Sequence, residues 1–326
     1  MTPSIGQGVP PRHAWTPVPH HTADAIRAGS ARVIALDTRF GARDLVDPSV
    51  RAAAWAHRVA QAPSRADRDV LAASAEAHQV AGWICFDAER QDLSRRMTLE
   101  AVRSARAAGD RSMEYFALSQ LAMQDVHLNR PAEAESVCAT AADENVAGAV
   151  ATLFTLRRAR AAAQRGERAR AQALIRETHS RYLEGPRHGD PAWAWWVSAP
   201  EIAWHHGMIY AELGEWARSA ERFAAAAEGP GYPRAEIIAQ TSQLWALAHA
   251  QAWPEAEEVL VDRVLPRINE VGSVRAERQL GAAAALLQEA PRSTLADAAR
   301  HLRATTIGEP RARGDGPVVK DFNRRT

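Results

Sequence analysis

Five short turns recur along the chain, each opening on a small or polar residue between stretches whose apolar positions fall three and four residues apart. They sit at Glu89-Arg90, Asn129-Arg130-Pro131, Gly166-Glu167, Gly214-Glu215-Trp216 and Gln251-Ala252-Trp253. Apolar residues at that spacing form one stripe of an amphipathic helix, and a turn residue between two such stripes joins a pair of antiparallel helices. Further breaks fall at Asp47-Pro48, Ala62-Pro63, Gly109-Asp110, Gly185-Pro186, Pro191, Gly229-Pro230-Gly231 and Pro291. Alternating apolar and polar runs, the mark of a half-buried strand, are missing. The fold expected is all-α.

The clearest turn, Gly214-Glu215-Trp216, has Gly207 and Tyr210 before it and Ser219, Phe223 and Ala226 after it. These offsets follow the tetratricopeptide (TPR) pattern, in which small residues let two helices approach and aromatics fill the gap to the next repeat. The other turns fit with less fidelity: Gly82 before and Ser94 and Ala101 after Glu89, Ala122 before and Ala134, Cys138 and Ala141 after Asn129, Ala159 and Ala162 before and Ala171 and Ile175 after Gly166, Ala256 and Leu260 after Gln251. The turns are 40, 37, 48 and 37 residues apart. A regular repeat takes 34, so the connections must be longer. The expected architecture is a right-handed TPR-like solenoid over residues 22–305, with helix pairs near 75–105, 113–143, 150–182, 197–228 and 235–266. Flanking helices are expected near 22–60 and 273–304, a disordered head over 1–21 and a disordered tail over 306–326.

The charges exclude some partners. There are 40 basic against 39 acidic residues, a net charge of +1, and Lys320 is the only lysine. Binders of nucleic acid or anionic membranes normally carry a basic excess. Two cysteines, Cys85 and Cys138, make neither a disulfide framework nor a zinc pattern and are expected to be free buried thiols. No run of eighteen apolar residues and no signal-peptide pattern occurs, which points to a cytoplasmic protein. The common phosphate-loop, dinucleotide, serine-hydrolase and zinc motifs are missing, so no cofactor and no metal are expected.

One ordered set of segments goes beyond a generic repeat. It comprises Gly82-Trp83-Ile84-Cys85-Phe86-Asp87, Gly109-Asp110, Leu128-Asn129-Arg130-Pro131-Ala132-Glu133-Ala134, Gly189-Asp190-Pro191-Ala192-Trp193, then Glu201, His205, Gly207 and Tyr210, and last Ser273-Val274-Arg275. In that order, over roughly Asp24 to Leu287, the chain resembles the C-terminal TPR-like sensor regions of XRE-type transcriptional regulators of high-GC Gram-positive bacteria. Members usually carry a helix-turn-helix domain before this region. Here about 22 residues precede the first expected helix, too few for one, and residues 31–41 resemble the family's linker helix. Ser198 and Ala199 stand where relatives often have an acidic pair. The resemblance implies a sensor or adaptor without its own DNA-binding domain.

The densest chemical feature is Trp193, Trp195, Trp196 and Trp204 with His205, His206 and Tyr210. Such side chains either pack between repeats or line the concave groove where solenoids bind ligands. Glu201 and His205 are four residues apart and share a helix face, as a buried polar pair, an acid/base pair or two metal ligands would. Arg157 and Arg160, in the run Arg157-Arg158-Ala159-Arg160, are candidate anion anchors. Trp193, Trp196, His205 and Tyr210 are the expected ligand contacts. The leading expectation is a non-enzymatic protein that binds a small molecule or short peptide and passes that state to a partner such as a separate regulator; the chain is also a candidate homodimer. The alternative is a biosynthetic enzyme on the same scaffold, with Glu201 and His205 as acid and base.

Overall fold

The computed structural model describes residues 19–302 apart from 62–66, 143–145, 186, 230–231, 292–294 and 301. Among these residues the chain is helical throughout. The first helix, α1 (Pro19–Phe40), starts three residues earlier than expected. The remaining head and the 306–326 tail lie outside the described residues. After α2 (Val46–Ala60) come α3 (Arg68–Asp87) and α4 (Gln91–Ala108), α5 (Arg111–His127) and α6 (Pro131–Ala142), α7 (Gly148–Gln164) and α8 (Arg168–Leu183), α9 (Ala199–Glu212) and α10 (Trp216–Ala227), and α11 (Pro233–His249) and α12 (Trp253–Glu258). Val259–Val264 extends α12 as a π-helical turn, and α13 is Val274–Leu287. Each helix from α1 to α11 packs on the next, α13 packs on α11, and α5, α7 and α9 also pack side by side. No described helix is long and apolar enough to cross a membrane.

The five turns are one structure repeated. Glu89, Asn129, Gly166, Gly214 and Gln251 all take a left-handed backbone, with φ of 57°, 56°, 73°, 74° and 56°. In each, the following amide donates back to the carbonyl five residues before it: Arg90 to Cys85 (2.8 Å), Arg130 to Asp125 (2.8 Å), Glu167 to Ala162 (2.9 Å), Glu215 to Tyr210 (2.8 Å) and Ala252 to Leu247 (3.0 Å). This closure caps carbonyls that the helix end would leave unpaired. A side chain in that conformation costs about 1–2 kcal/mol, of which glycine's freedom in the unfolded chain takes back part. Gln251→Gly is therefore expected to stabilise the protein by about 0.5–1 kcal/mol, measured as a higher urea midpoint at unchanged slope.

The small positions before the turns serve close packing. A Cβ on Gly207 would lie 2.7 Å from the Phe223 ring, and one on Gly82 would lie 2.5 Å from Thr98 Oγ1. In both pairs a serine twelve residues later seals the approach: Ser94 Oγ donates to the Gly82 carbonyl and Ser219 Oγ to the Gly207 carbonyl, each at 2.8 Å. Cys85 and Cys138 are buried and free, and burial pushes their thiols up to about 11 and about 12, leaving them protonated and inert.

The helix pairs do not run on as an open stack. Helix α1 packs against α3 and also against α11, and α11 packs against α13, so the first and the last of these helices are brought to one side of the fold. Behind α1, Arg43 N donates to Gly272 O (3.0 Å) and Gly272 N donates to Phe40 O (2.7 Å). Gly41, at φ +82°, sits so close that a Cβ would lie 2.8 Å from the Gly272 carbonyl. The space inside the helices is thereby walled by both the first and the last of them.

Candidate functional site

That interior space is a cavity of about 340 Å³ lined from residue 34 to residue 275. Its walls are aromatic and positioned by polar contacts. Asp190 Oδ1 accepts from Ala149 N at the start of α7 (2.9 Å), and Oδ2 accepts from Arg187 N (2.8 Å). This pins the loop before a 3₁₀ turn, Ala192–Trp196, which presents the tryptophans. Trp193 stacks on Phe116 with centroids 4.3 Å apart and donates from Nε1 to Ser112 Oγ (2.9 Å). Trp196 lies 5.8 Å from the same phenylalanine ring. Trp195 is half exposed at the rim, edge-on to Tyr232 at 5.7 Å. Across the cavity Trp204 donates to Ser242 Oγ (3.1 Å), and Trp83 donates to Asp37 Oδ2 (3.0 Å) while stacking on Phe86.

Charged groups cluster beside the cavity where α1, α3, α11 and α13 come together. Asp87, fully buried at the end of α3, faces Arg275 Nε (3.1 Å) and Arg234 Nη1 (3.6 Å) and accepts from Ser273 Oγ (3.2 Å). Asp37 on α1 faces Arg234 Nε (3.1 Å). Both guanidinium groups lie over Trp83, at 4.9 Å for Arg234 and 5.6 Å for Arg275. Burial raises the Asp37 carboxyl, and the nearby Asp87 adds to this, against the lowering by Arg234 and the Trp83 N–H. This clasp joins the first, third, eleventh and thirteenth helices around one tryptophan.

On α9, Glu201 and His205 both line the cavity, one turn apart as the spacing predicts. His205 Nε2 lies 3.0 Å from Glu201 Oε1 and 2.5 Å from Arg157 Nη1, while Nδ1 has no partner. Burial, followed by the charge of Arg157, pushes the imidazole down to about 3, so the ring is neutral near pH 7. Burial alone would raise the Glu201 carboxyl, but contact with His205 and the charges of Arg157 and Arg275 outweigh it and hold it ionised. An arginine only donates and a carboxylate only accepts, so a neutral Nε2 serves one of them at a time. The same nitrogen thus stands between Arg157 and Glu201, whose opposite charges act on each other across it.

The other expected contacts divide. Trp193 and Trp196 line the cavity. Arg157 and Arg160 border it but are only 1% and 3% exposed, and Arg160 pairs with Glu212 at 3.5 Å. Burial first of all pulls Arg157 down to about 10, which leaves it a cation at neutral pH. Tyr210 does not reach the cavity: it stacks on His206 at 4.5 Å beneath the Arg218 guanidinium at 4.2 Å. His206 in turn meets His179 (3.2 Å), and burial pushes it down to about 3. No group of three or more His, Cys, Asp or Glu that could hold a metal occurs among the described residues.

Trp83, Phe116, Asp87, Arg234 and Arg275 complete the site without having been expected as contacts. The signal for three of them was present, since Trp83 and Asp87 sit in the Gly82–Asp87 segment and Arg275 closes Ser273-Val274-Arg275. The structure brings these two segments, 186 residues apart, into contact through Ser273 and Asp87. Compared with known proteins, the chain matches no family model, no curated protein and no solved structure. Its functional reading rests on the geometry of this site.

Proposed function

We propose that the chain is a ligand-binding regulatory protein built on a TPR-like superhelix whose ends close on each other, taking a small aromatic molecule into its central cavity. One observation carries this reading: a cavity of about 340 Å³ walled by Trp83, Phe116, Trp193, Trp196 and Trp204 inside a ring of helices. Small-molecule sites span roughly 300–1,000 Å³ and are mostly apolar with a few placed polar groups. A cavity of this size suits a compact molecule better than an extended peptide. Regulation follows from the clasp, because Trp83 is at once a wall of the cavity and the surface on which Arg234 and Arg275 rest. A ligand touching Trp83 biases the contact of α1 with α11 and α13, and a partner that reads α1 and α13 would sense it.

The enzyme reading has one point in its favour, that Glu201 and His205 both reach the cavity. Against it, a general acid or base works best with a pKa near the operating pH, and His205 is pushed to about 3.

A thermal-shift screen of small aromatic metabolites tests the proposal. A true ligand at a hundredfold excess over its Kd should raise the melting temperature by roughly 5–10 °C, and Trp196→Ala should remove most of that rise while the protein stays folded. A rise that survives Trp196→Ala unchanged would place binding elsewhere.

A further inference from the structure

The polar groups of the cavity wall decide which aromatic ligand it takes, on the reading above that it takes one at all. The wall's carboxylates are answered from within the protein. Asp37 faces Arg234 Nε and accepts from the Trp83 N–H, Glu236 pairs with Arg267, and Glu201 lies 3.0 Å from His205 amid the charges of Arg157 and Arg275. Three of the four lining arginines are answered too. Arg157 has Nη1 on His205, Arg160 pairs with Glu212, and Arg234 faces both Asp37 and Asp87. Arg275 is different. Its Nε faces Asp87 at 3.1 Å, while Nη1 and Nη2 have no ion pair or hydrogen bond among the described residues.

The Arg275 guanidinium is also held in place. Its central carbon lies 5.3 Å from the Phe86 ring, 5.5 Å from Trp204 and 5.6 Å from Trp83, and all three rings line the cavity with it. Asp87 on the Nε side leaves the opposite end, with its two parallel N–H donors, as the edge that fits a carboxylate. A fork already oriented by its surroundings loses little freedom when a ligand arrives.

We propose that the cavity recognises a small aromatic acid, a planar ring system bearing a carboxylate, with the ring held among Trp193, Trp196 and Trp204 and the carboxylate accepting from Nη1 and Nη2 of Arg275. Trp204 joins the two halves of this site, since it lines the cavity and carries the Arg275 guanidinium. The acid then touches the clasp itself, because Arg275 on α13 also holds Asp87 of α3.

Calorimetric titration with three probes of one ring system tests this: indole-3-acetate, neutral indole and tryptamine, against wild type, Arg275→Gln and Arg275→Lys. Indole-3-acetate is expected to bind at least about tenfold more tightly than tryptamine. Arg275→Gln should weaken indole-3-acetate by about 10–100-fold, the range for a hydrogen bond to a charged group, and weaken indole far less. Arg275→Lys keeps a cation beside Asp87 but loses the fork, so it should stay folded and still bind indole-3-acetate about threefold or more weakly than wild type. Melting temperature and far-ultraviolet circular dichroism establish that each variant is folded, and Arg275→Lys decides if Arg275→Gln is not. Tighter binding of tryptamine, or indole-3-acetate binding that ignores the substitutions, overturns the acid preference while leaving the aromatic cavity standing. If none of the probes binds wild type, the small-aromatic reading of the cavity fails and this inference with it.

Discussion

Asp87→Ala is expected to destabilise the protein by about 3–5 kcal/mol, lowering its melting temperature by ~6–20 °C. Asp87 is fully buried and carries Arg275 at 3.1 Å, Arg234 at 3.6 Å and the Ser273 hydroxyl at 3.2 Å. Removing it leaves two largely buried guanidinium groups sharing Asp37, whose own carboxyl is already raised by burial. An uncompensated buried charge costs far more than a lost surface ion pair gains. Asp87→Asn keeps the shape and loses the charge, so it should retain most of the effect. Thermal melts of the three proteins check this, with the tryptophan emission maximum as a second readout: opening the clasp exposes Trp83 and shifts emission to the red. A loss below about 1 kcal/mol for Asp87→Ala would mean that α1, α3, α11 and α13 are not held together by this cluster.

The second large effect lies in the repeat that the sequence displayed most clearly. Phe223 is fully buried, packed on Gly207 and 6.2 Å from the Trp204 ring. Phe223→Ala should cost about 3–5 kcal/mol through lost burial and the cavity left behind. Gly207→Ala alone should cost about 1–3 kcal/mol, because its methyl group meets the Phe223 ring at 2.7 Å and the ring must move. Together they should not add. With the ring gone, the new methyl group has room and fills part of the void, so the double variant should be no less stable than Phe223→Ala. Urea unfolding of the four proteins supplies the cycle. Simple additivity would show that Gly207 is small for a reason other than Phe223.

These two clusters show what the sequence made legible. The five turns, the order of the helix pairs and the small residues facing aromatics were readable because each follows from local chemistry: a left-handed residue ends a helix, a Pro or polar residue starts the next, and Gly207 and Ser219 are separated by one turn of chain. Glu201 and His205 likewise fall on one face of α9 because four residues make one helical turn. The closure of the ring was not readable. Asp87 and Arg275, or Gly41 and Gly272, are joined by nothing in local pattern, although three of the residues involved stood in segments that marked the family resemblance. Helical periodicity also left Tyr210 and Trp204 undistinguished, since it assigns a face but not the neighbour that face meets. Tyr210 went to His206 and Arg218, and Trp204 to the cavity. Arg157 and Arg160, expected as anion anchors, border the cavity but are buried, because α7 is enclosed by α5, α8 and α9.

The account ties an aromatic cavity to the contact of α1 with α11 and α13, and hydrogen exchange measured by mass spectrometry with and without a saturating aromatic ligand from the thermal-shift screen tests that tie most directly. Binding at the cavity wall should slow exchange across residues 192–205, and binding coupled to the clasp should also slow it at 34–43 and 271–278, which share no sequence with the tryptophan turn. Protection at all three segments is the predicted result. Binding that protects 192–205 alone, or that protects none of them, would contradict it.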